Sequence, residues 1–278
     1  MFDTVLVAGL GLMGGSMAQT IKRHTDCRVL GWNRTRETAE KARADGAIDA
    51  VATEALFGQA DLVLIGLYPQ ATVDWLLQAM PKMKKGCVVV DMVGVKRFMI
   101  DRLEQAALQA GVHFVGGHPM AGREFSGFDY AQPTLFDGAS MIFVPNRSSN
   151  EAVLQALEAF FMGLGFGQTV RCTADQHDRM IAFTSQLAHV VSSAYIKSPE
   201  ADQHNGYSAG SYKDLTRVAK LNEHMWSELF LCNAAPLAQE IDEIIAHLDE
   251  YRRAIRAGDR ETLTALLRDG RERKERLG

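Results

Sequence analysis

The sequence is poor in the residues that staple small secreted folds. Its 278 residues include four cysteines, Cys27, Cys87, Cys172 and Cys232, far apart and without a C-x-x-C pair. A disulfide scaffold is excluded, no metal centre is expected, and the thiols read as small buried hydrophobes in a reducing compartment. Basic charge is not in excess either. Thirty Lys and Arg stand against 34 Asp and Glu, a net −4, which leaves no general nucleic-acid footprint. No apolar run reaches transmembrane length, and the N-terminus lacks a basic region followed by an apolar stretch. The expectation is a soluble cytoplasmic protein with neither membrane nor nucleic acid as partner. Short repeats, low-complexity segments and long linkers are also missing. What remains is a chain that is 47% apolar, enough for a substantial core in one large domain or two ordinary ones.

The first half alternates. Apolar, β-branched runs at 4–8, 28–32, 62–66, 87–91, 113–115, 140–144 and 166–171 read as strands, and helical patterns separate most of them. Such alternation predicts a doubly wound parallel sheet of Rossmann type, an α/β fold. The first strand runs directly into Gly9-Leu10-Gly11-Leu12-Met13-Gly14, a G-x-G-x-x-G that opens a helix. In that setting the glycines serve a tight turn, close approach to a pyrophosphate, and close helix–strand packing. About 20 residues on, where a carboxylate would meet a free ribose hydroxyl, stand Asn33-Arg34-Thr35-Arg36. Two arginines suit a 2′-phosphate, so NADP is expected in preference to NAD. Alternatively, Thr35 caps the next helix and both arginines are merely solvated. Three strand ends are candidates for the reacting end of the cofactor: Tyr68-Pro69, 92–96 including Gly94, and 116–124. The last, Gly116-Gly117-His118-Pro119-Met120-Ala121-Gly122-Arg123-Glu124, reads as a tight turn. It carries a histidine able to exchange a proton near neutral pH.

After Pro145 the pattern becomes helical, apart from the strand at 166–171. The expected division is a dinucleotide-binding domain over 1–147 and an all-α domain over 148–278. One long, mostly apolar helix is expected over 175–196, and Leu237, Ile241, Ile244, Ile245, Leu248, Tyr251 and Ile255 form a stripe of helical period. The last helix is expected at 259–268, with a frayed end beyond it. A long apolar helix needs cover on several faces, which points to a homodimer paired through these helices; an ordinary core helix in a monomer is the alternative.

Three motifs in order, G-L-G-L-M-G, G-G-H-P-M-A-G-R-E-x-S-G and S-Y-K-D-L-T-R with a tryptophan nine residues beyond the arginine, resemble the prephenate/arogenate dehydrogenase family. The resemblance runs from Val5 to about Pro236. It implies oxidative decarboxylation of a cyclohexadienol ring with hydride transfer to NAD(P), on the route to tyrosine. It also implies a catalytic role for His118 at the ring hydroxyl, a second active-site histidine at His189, and Arg217 on a substrate carboxylate. His189 is otherwise a core histidine. Asp214 either orients Arg217 or is an exposed carboxylate. Gly210 and Trp226 match positions near the substrate pocket, with Trp226 read as packing. Arg123 either meets the side-chain carboxylate of the substrate or is a surface charge. Two departures stand out. Gly94 replaces a family serine that hydrogen-bonds near the nicotinamide and the substrate hydroxyl, and Ser185-Gln186-Leu187-Ala188-His189 keeps one of two histidines. They leave open a related dehydrogenase of another cyclohexadienyl or hydroxy-acid substrate, or a cofactor-binding protein without turnover. No appended mutase or amino-acid-sensing domain is expected, so tyrosine inhibition would act at the active site.

Overall fold

The apolar runs of the first half pair into one eight-stranded sheet in the computed structural model, which describes residues 2–123 and 125–278. Glu124, at the end of the His118 segment, lies outside the described residues. The elements are β1 (Thr4–Ala8), α1 (Leu12–His24), β2 (Arg28–Trp32), α2 (Arg36–Ala44), β3 (Ala50–Val51), α3 (Glu54–Phe57), β4 (Leu62–Ile65), α4 (Pro69–Ala79), β5 (Val88–Asp91), α5 (Arg97–Ala110), β6 (His113–Pro119), β7 (Ser140–Val144), α6 (Glu151–Gly163) and β8 (Gln168–Arg171). The sheet order is β3-β2-β1-β4-β5-β6-β7-β8. The order reverses between β1 and β4, and the crevice at that reversal is where such sheets receive ligands. Alternate side chains of each central strand feed two cores. Val5, Val7, Leu62, Leu64, Val88 and Val90 face one layer, whereas Leu6, Ala8, Val63, Ile65 and Val89 face the other. Burial on both faces is why these strands read as continuous apolar runs.

Three features correct the sequence reading. β7 runs antiparallel to β6, with Gly117 opposite Phe143 and His118 opposite Ile142, while the other pairings are parallel. β6 continues through Pro119, so His118 sits in a strand and not in a turn. Gly116 and Gly117 make room there: a Cβ on Gly116 would lie 2.9 Å from Lys96 Cδ, and one on Gly117 2.5 Å from the Asp91 carbonyl oxygen. Finally, the domain boundary expected at 147/148 falls inside the sheet domain. α6 buries Leu154, Leu157 and Phe161 against the sheet core, and β8 pairs with β7. The sheet therefore extends to Arg171.

The helical part comprises α7 (Ala174–Ile181), a π-helical segment over Ala182–Gln186, α8 (Leu187–Tyr195), α9 (Gly210–Thr216), α10 (Glu223–Cys232), α11 (Ala234–Ala257) and α12 (Arg260–Leu277). α12 continues past the expected frayed end, with Arg273 on Asp269 and Arg271 on Glu275 as i,i+4 pairs. Buried apolar residues in the helical cluster are few: Ala182, Leu187 and Leu237, among the described residues. Carboxylates of the helical part dock it onto the sheet domain, among them Asp175, which pairs with the Arg97 guanidinium. Asp178 accepts hydrogen bonds from the backbone N–H groups of Lys96 and Arg97, where α5 begins, at 2.7 and 2.8 Å. Glu228 accepts one from Gln70 N at the start of α4, at 2.6 Å. Both positions put a negative charge on the positive end of a helix.

Candidate active site

The glycine loop packs tightly against the strand ends around it. Gly9 has φ +89°, and a Cβ on it would strike the Gly66 carbonyl oxygen at 2.7 Å. A Cβ on Gly14 would lie 1.8 Å from the Gly9 carbonyl oxygen. A Cβ on Gly11, by contrast, would meet nothing within 4 Å. Gly11 caps α1 without a side-chain hydrogen bond, Leu12 is buried and Met13 half-buried. The helix N-terminus is thus open on the side where an anion would approach, which fits a dinucleotide pyrophosphate. Asn33 ties the loop to the next turn: its Oδ1 accepts from Leu10 N at 3.0 Å and its Nδ2 donates to the Thr35 carbonyl at 3.0 Å. Arg34 and Thr35 are exposed, and Thr35 stands at the N-cap of α2 without a side-chain cap bond. Arg36 is held by Glu40 at 3.4 Å. Tyr68 is exposed at the N-cap of α4 and Pro69 is buried in its first turn.

At the end of β6, His118 is half-buried and its Nδ1 lies 2.9 Å from His177 Nε2. His177 Nδ1 lies 2.7 Å from Asp178 Oδ1. Burial, with His177 and Lys96 nearby, pushes the His118 pKa well below its usual value. Behind it, Lys96 and Asp91 form an ion pair at 0% exposure. Burial drives each toward its neutral form, lowering Lys96 and raising Asp91, while their mutual attraction opposes this. Gly94 faces His118: a Cβ there would lie 3.8 Å from His118 Nε2 and 3.7 Å from Leu229 Cδ2.

One turn before Leu229 on α10, Trp226 stacks on His189 of α8, with ring centroids 3.7 Å apart. His189 Nδ1 donates to the Ser185 carbonyl at 2.9 Å. The π segment sets this histidine's direction. Twelve residues of regular α-helix would leave His189 about 120° round from His177. Absorbing one extra residue in the wide turn reduces that to about 20°. Arg217 begins the turn Arg217–Ala219, which packs on α8. Gly210 opens α9, and a Cβ on it would meet nothing within 4 Å. Asp214 is exposed on that helix. Arg123 is exposed, with its guanidinium 5.2 Å from the Phe125 ring centroid, and Phe125 stacks on Tyr130. Gly94 thus faces both His118 and Leu229, and Trp226, on the same helix as Leu229, stacks on His189. Arg123 and Asp214 are both exposed, on the segment after β6 and on α9.

The sequence reading missed His177 and Asp178. The adjacent His-Asp pair, twelve residues before His189 on a predicted helix, was the available signal. It also missed Lys96 and Asp91, whose meeting depends on the space left by Gly116.

The chain matches two family models, described as prephenate dehydrogenase, nucleotide-binding domain, over residues 17–168, and prephenate dehydrogenase, dimerization domain, over residues 173–269. It is 28% identical to a prephenate dehydrogenase of Bacillus subtilis, covering 100% of this chain and 76% of the relative. It is 30% identical to a cyclohexadienyl dehydrogenase of Zymomonas mobilis, covering 93% and 90%. Among solved structures, prephenate dehydrogenase from A. aeolicus, in complex with hydroxyphenyl propionate and NAD+, superimposes with a TM-score of 0.89 at 25% identity, covering 100% and 99% of the two chains.

Proposed function

This chain belongs to the prephenate dehydrogenase family, and we propose that it oxidises and decarboxylates prephenate, arogenate or both with NAD(P), as a homodimer. The observation that carries the reading is His118: a half-buried, neutral-favouring imidazole at the end of β6, facing Gly94 just past the end of the neighbouring β5. The dinucleotide, held by Gly9 to Gly14 and α1, supplies the hydride acceptor when bound. His118 takes the proton of the ring hydroxyl as the C4 carbonyl forms, a role that contributes ~10²–10⁴-fold. The bond from the ring to its carboxylate then breaks, its electron pair passing through the ring to the C4 oxygen, which takes back a proton, and carbon dioxide leaves as the ring becomes aromatic.

Arg217 provides a fork for a substrate carboxylate, and His189, stacked on Trp226, provides a further polar contact. Gly210 borders the substrate. Asp214 and Arg123 sit at the rim, Arg123 offering a second cation. Tyr68, Pro69 and Gly94 line the nicotinamide side. For the adenosine end we favour NADP. Asn33 is already committed to Leu10 and Thr35, no carboxylate stands in the turn, and Arg34 is exposed at its tip. The small buried cluster of the helical part and the match to a dimerization domain support a homodimer.

Turnover of prephenate and of arogenate, each with NAD and with NADP, followed by nicotinamide absorbance, tests the reading. Activity with at least one pair is expected. Cofactor binding with no turnover of either substrate overturns it, in favour of the related-substrate or non-enzymatic alternatives that Gly94 leaves open.

A further inference from the structure

We infer that Asp178, acting through His177, fixes the proton of His118 on Nδ1 and so leaves Nε2 bare to act as the base. The inference rests on His118 as proton acceptor and extends it to two positioning residues from the other domain.

The directions follow from what each atom is able to do. Both oxygens of Asp178 accept from backbone N–H groups, Oδ1 from Lys96 and Oδ2 from Arg97. Two such donors at a helix N-terminus favour the carboxylate, which only accepts. At 2.7 Å from Oδ1, His177 Nδ1 must therefore donate. His177 is 2% exposed, and burial lowers its pKa, so the ring is neutral and carries one proton. Its Nε2 then presents a lone pair to His118 Nδ1 at 2.9 Å. That contact is a hydrogen bond only if His118 Nδ1 holds the proton. Neutral His118 is left with a free lone pair on Nε2, the nitrogen that Gly94 faces. The opposite polarity would set a lone pair of His177 against the carboxylate.

The chain is anchored as well as directed. Asn233 Nδ2 donates to the Asp178 carbonyl at 2.9 Å and to Gln186 Oε1 at 2.8 Å, tying the start of α11 to the π segment. Because Asp178 also caps α5, the contact that docks the helical part on the sheet is the one that selects the tautomer.

Nitrogen-15 NMR of the histidine-labelled full chain, without substrate, reads the tautomer directly, and steady-state kinetics reads its consequence. In the wild type, His118 Nε2 is expected to be unprotonated at neutral pH. In Asp178→Ala the acceptor for His177 Nδ1 is gone, so His177 is expected to hold its proton on either nitrogen and the His118 proton to divide between Nδ1 and Nε2. The kcat then falls by roughly 2–10-fold, in proportion to the His118 rings left with a protonated Nε2, with KM nearly unchanged. In His177→Gln the amide oxygen accepts from His118 Nδ1 without help from position 178. The tautomer is expected to stay and kcat to remain within about twofold of wild type. Should Asp178→Ala fail to fold, His177→Phe serves: with no acceptor on Nδ1, a mixture of tautomers is expected. Wild-type NMR showing the proton on Nε2, or an unaltered tautomer in both Asp178→Ala and His177→Phe, overturns the inference. Because the tautomer is read without turnover, an error about the substrate leaves a different signature from an error about the chain.

Discussion

Gly94 points the missing side chain of its position at His118: a Cβ built on it lies 3.8 Å from both Cε1 and Nε2 of the imidazole, in ordinary van der Waals contact. Nothing in the backbone obstructs a larger residue there. Gly94→Ser is therefore expected to fold with stability within about 0.5 kcal/mol of wild type. Its hydroxyl would come within reach of the reacting oxygen and His118. One added hydrogen bond of ordinary strength should raise kcat/KM by roughly 3–10-fold. Thermal melting and turnover of the two variants side by side check this; a loss of activity would mean that the gap at Gly94 is itself used.

Arg34 governs the cofactor if the exposed turn after β2 receives a 2′-phosphate. Arg34→Asp is expected to raise the KM for NADP by about 10–100-fold, the loss of a charge-assisted contact, and to change that for NAD by less than about threefold. Equal weakening of both cofactors would instead assign Arg34 to general structure.

The low pKa of His118 has a consequence with a definite sign. A base works when neutral, and burial together with His177 and Lys96 keeps the folded pKa below the usual value near 6.5. The kcat should stay on its plateau through neutral pH and fall only below the ordinary histidine range. A midpoint at or above 6.5 would contradict this. Stability should follow the same direction. His118 and His177 both bind protons more weakly folded than unfolded, so stability is full above about 6.5 and falls as the pH drops below it. Urea midpoints across that range read the effect.

Ile245 and Leu248 are 58% and 60% exposed on α11, too much apolar surface for a helix whose own cluster is small. Leu248→Glu is expected to convert a dimer into monomers by light scattering at micromolar concentration, since a buried carboxylate without a partner opposes association. A wild-type monomer at the same concentration would remove the basis for the homodimer.

The sequence by itself determined most of the elements and their order, though not β3, α3 or the π segment that divides the helix expected over 175–196. Continuous apolar, β-branched runs gave the strands other than β3, helical spacing gave most of the helices, and G-x-G-x-x-G after β1 gave the loop whose glycines prove to have no space for side chains at Gly9 and Gly14. His118, His189 and Arg217 were legible too, as parts of motifs. These signals are local, because they arise from residues a few positions apart on one face. Tertiary structure decided what depends on distant partners. The antiparallel course of β7 and the recruitment of β8 are pairings that no local pattern encodes. Gly116 and Gly117 read as turn residues, yet they are there because Lys96 and the Asp91 backbone pass too close for a Cβ. His177 stands 59 residues from His118 and meets it where Asp178, the next residue, seats the helices on the start of α5. The phase of His189 depends on one residue absorbed in the π segment. A hydrogen bond between side chains from two domains has no periodicity to read, so its direction follows only from the atoms that surround it.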